Sequence, residues 1–191
     1  VKRLQKTLYF MPLINQHLNT KTMFKSAMPF IPEYFDRYID QTEDLAMLEM
    51  LERSQTELQN YDWDKLESLG DTVYAPGKWT GRDILQHLID TERILSYRAL
   101  CIARGEAVNL PGFEEDDYAL HAQGNQCNFE DLKTELLTLR TSTLQLFRSF
   151  SDVMLLRMGS ASGKQMTTLA LGFIVAGHQR HHFRILKERY F

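Results

Sequence analysis

Three of the chain's six histidines fall within five consecutive positions near its C-terminus, in "AGHQRHHFRIL" at residues 176–186. On a helix each residue turns by about 100°, so residues four apart share a face. His178 and His182 are such a pair, and Leu171, Ile174, Val175 and Ile185 lie on the same side. Both imidazoles therefore sit in an apolar stripe. Arg180, Arg184 and Lys187 gather on roughly the opposite side and read as a solvated face. His181 is only about 60° around the helix from His178 and is partly inward too. The same i, i+4 spacing holds zinc in H-E-x-x-H proteases, where the glutamate is the base. Gln179 replaces that glutamate here, so peptidase chemistry is set aside.

A third inward histidine is His87 in "KWTGRDILQHLIDTER", on one face with Ile84, Leu88, Thr91, Ile94 and Leu95. Taken alone, such a residue reads first as a hydrogen-bonded core histidine. Three inward imidazoles without a common partner are costly to desolvate, however, and together they favour a shared metal ion. Neutral imidazoles suit zinc, nickel or a related borderline cation, whereas calcium and magnesium prefer oxygen ligands. Three protein ligands leave a coordination position for water or substrate, as in catalytic rather than structural sites. His17 and His121 lack an inward setting.

These residues need long helices to position them. Thr80 opens one such helix with a weakened capping box, Asp83 standing where Glu or Gln is usual. The helix is expected to run from Gly81 to about Arg104 and to stop at Gly105. An earlier amphipathic helix is expected within residues 42–60, on Leu45, Leu48, Leu51 and Leu58. "NYDWDKLESLGD" reads as a short helical turn. A third long helix starts at Phe129 with Leu132, Leu136, Leu139, Leu146 and Phe150 as its stripe, and the last covers roughly Thr168 to Tyr190. "LPGFEEDDYALHAQGNQCN" is a long acidic connection, of the kind more often functional or packed than idle. "RMGSASGKQMT" links the last two helices, and no stretch carries a convincing strand pattern. The expected fold is all-α, a four-helix bundle.

With 191 residues, 43% hydrophobic and 25% charged, the chain suits one globular domain able to bury its own core. The net charge of −3 offers no basic excess, which argues against nucleic acid as a partner. No apolar run reaches membrane-spanning length. Cys101 and Cys127 form no framework and read as free thiols in a reducing cytoplasm. Residues 1–27 resemble a signal peptide only loosely, since Pro12 and Asn15 interrupt a short apolar stretch and no small-residue cleavage site follows. They are expected to be a poorly ordered leader, with Met23 or Met28 as natural beginnings and the domain at 28–191.

Several of these segments together resemble the DinB-like superfamily of four-helix-bundle metalloenzymes, from about residue 33 to the end. "YAPGKWTGRDILQHLIDTERILSYRALCIARGE" looks like the family's second helix and its approach, with Trp79 and His87 in place. "LPGFEEDDYA" resembles the connection that follows in one branch. "IVAGHQRHHFRILKERY" looks like the fourth helix with its G-H-x-x-H-H signature. The resemblance implies an up-down-down-up bundle with a divalent metal on His87, His178 and His182, the set already chosen by face. It leaves His181 outside the ligand set, in a supporting or packing role. Family members include thiol-dependent transferases using bacillithiol, mycothiol or glutathione-like cofactors. A thiol-dependent S-transferase is therefore the first expectation, on resemblance alone, and hydrolysis by metal-activated water the alternative. The partner implied is a small-molecule substrate, and a homodimer is plausible by family analogy.

Further residues carry two readings each. Arg98, three turns after His87 on the same face, is expected to pair with the acidic loop Glu114–Asp117; the functional alternative is a seat for an anionic substrate or cofactor carboxylate. Asp90 is a candidate to orient His87, as ligating histidines usually require; otherwise it is a surface carboxylate. Glu92 points well away by angle. Tyr118 either reaches substrate or packs. Gly172 and Gly177 each cost about 1 kcal/mol within a helix, which suggests a close approach or room beside the metal. The three histidines are also compatible with a non-enzymatic small-molecule-binding or stress-linked module, and with a hydrogen-bonded core cluster that holds no metal.

Overall fold

The computed structural model describes residues 23–191. Its helices are α1 (Asp36–Ile39), α2 (Met47–Gln59), α3 (Trp63–Glu67), α4 (Gly81–Arg104), α5 (Glu115–Ala122), α6 (Phe129–Arg148), α7 (Asp152–Leu155) and α8 (Thr168–Arg189). A hairpin of β1 (Met158–Ala161) and β2 (Lys164–Thr167) precedes α8. Of the expected leader, residues 1–22 lie outside the described residues. Within 23–27, Phe24 bridges Ala46 and the Met23 carbonyl accepts the first N–H of α2, which has no side-chain cap.

The other long helices begin where the sequence supplies caps. The Thr80 hydroxyl accepts from the Asp83 backbone, and the Asp83 carboxylate accepts from the Thr80 backbone, completing the capping box in front of α4. Asn128 and Thr167 accept from the third residue of α6 and α8 respectively. Gly105 ends α4 at φ 90°, a left-handed conformation that glycine adopts without strain.

Cross-helix contacts fix the topology. Glu92 and Ser96 of α4 meet Arg140 and Thr143 of α6 in the same order, so these two helices run parallel. Glu52 and Gln55 of α2 meet Arg148 and Thr141 in reverse order, so α2 opposes α6. Leu186, late in α8, packs with Ile84 and Leu85 at the start of α4, while Ile174 belongs with Leu95 in the other half of the core. The order is up-down-down-up, as expected.

Parallel neighbours need a return path. α4 has 24 residues and is about 36 Å long, and residues 106–128 must retrace that length before α6 can begin. Their far end is pinned where the Asn125 N–H donates to Asp83. The length of this acidic connection is thus a requirement of topology, and α5 forms within it.

The hairpin is a correction to the sequence reading, which found no strand. Ala161 pairs with Lys164 across Ser162 and Gly163, both at positive φ (52° and 72°), the signature of a two-residue type I′ turn. The Ser-Gly pair was the available signal. Strands this short, built on glycine, serine, lysine and glutamine, carry no apolar alternation to reveal them. Leu110 of the return path adds to the hairpin: its N–H donates to Ser160 and its carbonyl accepts from Ser162. α8 is buried without a break from Thr168 to Gln179, because α1, α2, α4, α7 and the hairpin surround it.

Candidate metal centre and its pocket

α4 and α8 run antiparallel in contact, which brings His87 opposite the His178–His182 pair. All three are buried, at 7, 5 and 8% exposure. His178 Nε2 lies 3.1 Å from His87 Nε2 and 3.1 Å from His182 Nε2. One ligand atom from each falls within 4.8 Å of the others. Nitrogens around a tetrahedral zinc, each about 2.0–2.1 Å from the ion, would stand about 3.3 Å apart, so the set fits such an ion.

Burial keeps the rings neutral. It pushes the His87 pKa down to about 4, with the charge of His181 adding to the effect. His178 and His182 are held well below the usual histidine value, by burial first and then by the neighbouring histidines. Neutral imidazoles present lone pairs, which a metal needs. Aromatic rings brace them: Trp79 lies 4.7 Å from His87 and stacks on His182, while Tyr38 meets His178 edge-on at 5.0 Å.

Gly177 makes the Tyr38 contact available. A Cβ there would lie 1.9 Å from the Tyr38 carbonyl oxygen, so only glycine lets α1 press against α8 beside His178. The close approach expected of the two helix glycines is present at both, since Gly172 faces Met47 and Phe147.

The histidines open into a cavity of about 360 Å³, within the usual span for small-molecule sites of about 300–1,000 Å³. Aromatic side chains from the α1 approach, Trp79 and Phe113 line it, together with Arg98, Ser162 and Lys164.

The remaining sequence candidates divide. His181 lines the cavity against Tyr38, with its Nδ1 buried and unpartnered. Asp90 does not orient His87: its carboxylate accepts from Gln86 one turn back on α4, at 3.0 Å. Arg98 is buried and reaches the cavity, but no carboxylate of the acidic loop bonds it directly; Glu115 acts on its charge only from a distance. Its Nη2 donates to the Pro111 carbonyl and to Ser162 Oγ, both at 2.9 Å, because the return path and hairpin bring neutral acceptors there first. Tyr118 packs on Phe113 and is half exposed, outside the cavity lining. Arg180 is not simply solvated, since it donates to Glu57, Glu43 and the Gln41 carbonyl.

One polar cluster escaped the sequence reading. Arg140, 1% exposed, donates through Nε and Nη2 to both oxygens of Glu92, and through Nη1 to Ser54 Oγ and Gln179 Oε1. Gln179 in turn donates to the Ser54 carbonyl, so four helices share the network. The stripe expected for α6 holds at Leu132, Leu136 and Phe150 but slips at Leu139 and Leu146. Leu132, Leu136, Arg140, Thr143, Leu144 and Phe147 are buried, whereas Leu139 and Leu146 are only partly so. An arginine four residues after Leu136 and four before Leu144 was the signal.

The DinB superfamily profile matches residues 46–186. No curated protein matches the chain. Among solved structures, YfiT from Bacillus subtilis, described as a "probable metal-dependent hydrolase with an unusual four-helix bundle topology", shares 19% identity with a TM-score of 0.65. That likeness covers 74% of this chain and 82% of YfiT. With the profile spanning most of its length, the chain belongs to the DinB superfamily.

Proposed function

We propose that this chain is a metal-dependent enzyme acting on a small molecule, with one divalent transition ion, zinc or nickel, held by His87, His178 and His182. The observation that carries the reading is the convergence of three neutral, buried imidazoles in the lining of a cavity large enough for a ligand. A divalent ion bound there supplies Lewis acidity and lowers the pKa of a coordinated water or thiol. Trp79 and Tyr38 hold the rings in place and keep solvent from their flanks.

Hydrolysis is supported by the description of YfiT. Thiol-dependent S-transfer is a second reading with its own physical support. Gln179, at the position of the hydrolytic glutamate, is committed to Arg140 and Ser54 and offers no base. That arrangement favours a nucleophile whose proton is removed by coordination to the metal itself, which a low-molecular-weight thiol can supply as well as a water.

The test is elemental mass spectrometry of native protein and His182→Ala, each purified without chelator. Near-stoichiometric zinc or nickel in the native protein, lost in the variant at unchanged helicity, is expected. Loaded protein is then given ester and amide substrates, or thiols with electrophiles, and product formation separates hydrolysis from transfer. A native protein that neither carries nor takes up metal overturns the reading.

A further inference from the structure

Arg98 is the unexplained charge of the cavity. It is 3% exposed and lines the space that also holds the three histidines. Its two hydrogen bonds go to uncharged acceptors, and its Nε is buried without a partner. Among the described residues no carboxylate pairs with it. Lys164, its cationic neighbour in the cavity lining, is already bonded to Glu33 at 2.7 Å. Glu115 lines the same cavity and its charge acts on Arg98 across it, but the two form no direct ion pair, so the guanidinium's hydrogen-bonding positions stay with neutral acceptors. A buried guanidinium served only by a carbonyl and a hydroxyl keeps most of its attraction for an anion.

The path between the two ends has a matching chemistry. His87, Thr91, Leu95 and Arg98 follow one another along the same face of α4, and all four line the cavity. His87 and Arg98 are separated by roughly 16 Å of helix rise. Leu95 and Ile174 add apolar surface to the same cavity, and Thr91, between His87 and Arg98 on α4, offers a buried hydroxyl without a partner. Phe113 also lies beside the guanidinium, its ring centroid 5.9 Å from Arg98 Cζ.

From this arrangement we infer that the ligand is an elongated acid: one end sits at the three histidines, an apolar middle lies against the aromatic wall, and a carboxylate is received by Arg98. The inference rests on the metal reading above and specifies the substrate class of the same site. Arg98 is the specificity determinant, and the hairpin's Ser162 is the positioning residue that holds it.

The experiment titrates zinc-loaded protein calorimetrically with alkyl hydroxamates of increasing chain length, each in methyl-terminated and carboxylate-terminated form. The hydroxamate reports the metal end, and the difference between the two forms reports Arg98. At one or more lengths the native protein is expected to prefer the carboxylate form by about tenfold or more, and Arg98→Gln to show a preference within about twofold. The methyl-terminated forms are expected to bind Arg98→Gln as they bind the native protein, a readout that a purely structural role for Arg98 would disturb. Equal affinity of the two forms at every length in native protein overturns the inference while leaving the metal reading intact. Failure of all hydroxamates to bind zinc-loaded protein overturns the inference, whereas failure of the protein to take up zinc overturns the metal reading beneath it. A carboxylate preference that survives in Arg98→Gln overturns the assignment to this residue. The native comparison decides the ligand class even where Arg98→Gln does not fold.

Discussion

His178 and Gln179 are consecutive in the chain, yet they serve two buried polar clusters of opposite character. Gln179 joins Arg140, Glu92 and Ser54, where every Arg140 nitrogen has an acceptor and the charge is matched. His178 joins His87 and His182, whose facing nitrogens meet only one another, beside a cavity. Desolvating polar groups is tolerable when their bonds are made and costly when they are not. The first cluster is closed and binds four helices together. The second is left incomplete by the fold, and the proposed metal ion would complete it. Burial alone therefore does not distinguish scaffold from site in this bundle; satisfaction of the buried atoms does.

The largest expected effect comes from opening the closed cluster. Arg140→Met leaves Glu92 buried without its partner and is expected to lower unfolding free energy by about 3–5 kcal/mol, read by urea denaturation. Adding Glu92→Met should recover most of that loss, since a packed apolar pair replaces a buried ion pair with little penalty. Both variants are expected to keep their metal once folded. Metal loss in the stable double variant would show that the two clusters are one.

A smaller effect separates the clusters by pH. His87 falls from the ordinary 6.5 to about 4 in the folded protein, so between these values the unfolded chain binds more protons. The contribution of neutral His87 to the stability of metal-free protein is therefore fully present above pH 6.5 and lost as pH falls toward about 4. Denaturation curves at a series of pH values, with chelator, should show this slope, and His87→Gln should flatten it. An unchanged slope in that variant would mean that His87 is not one of the groups responsible.

The smallest effect belongs to Asp90, whose carboxylate faces Gln86 rather than a histidine. Asp90→Asn is expected to change stability by less than about 0.5 kcal/mol and to leave metal content unaltered. A measurable drop in metal would reinstate it as an orienting group.

The two clusters also differed in how legible they were. His178 and His182 stood out because a repeated polar residue interrupts an apolar stripe at helical spacing, and His87 matched them on another helix. Arg140 was hidden by leucines. α6 has enough of them, at 132, 136, 139 and 146, that two phases of the stripe look acceptable, and only tertiary packing chooses between them. The helix boundaries of α4 were readable from Thr80 and Gly105, since caps are local. The acceptors of Arg98 were not, because Pro111 and Ser162 reach it through pairing between the return path and a hairpin. Residues far apart in the chain met there by topology, which periodicity does not encode.

The parallel placement of α4 and α6 has a consequence for how such a protein can change. A segment that must span the bundle contributes Phe113 and Glu115 to the cavity lining, while supplying little of the four-helix core. Substitutions in this segment can alter what enters the cavity without touching the residues that hold the bundle together. The return path is thus a natural place for selection or engineering to retune recognition, with the three histidines and the Arg140 network inherited unaltered.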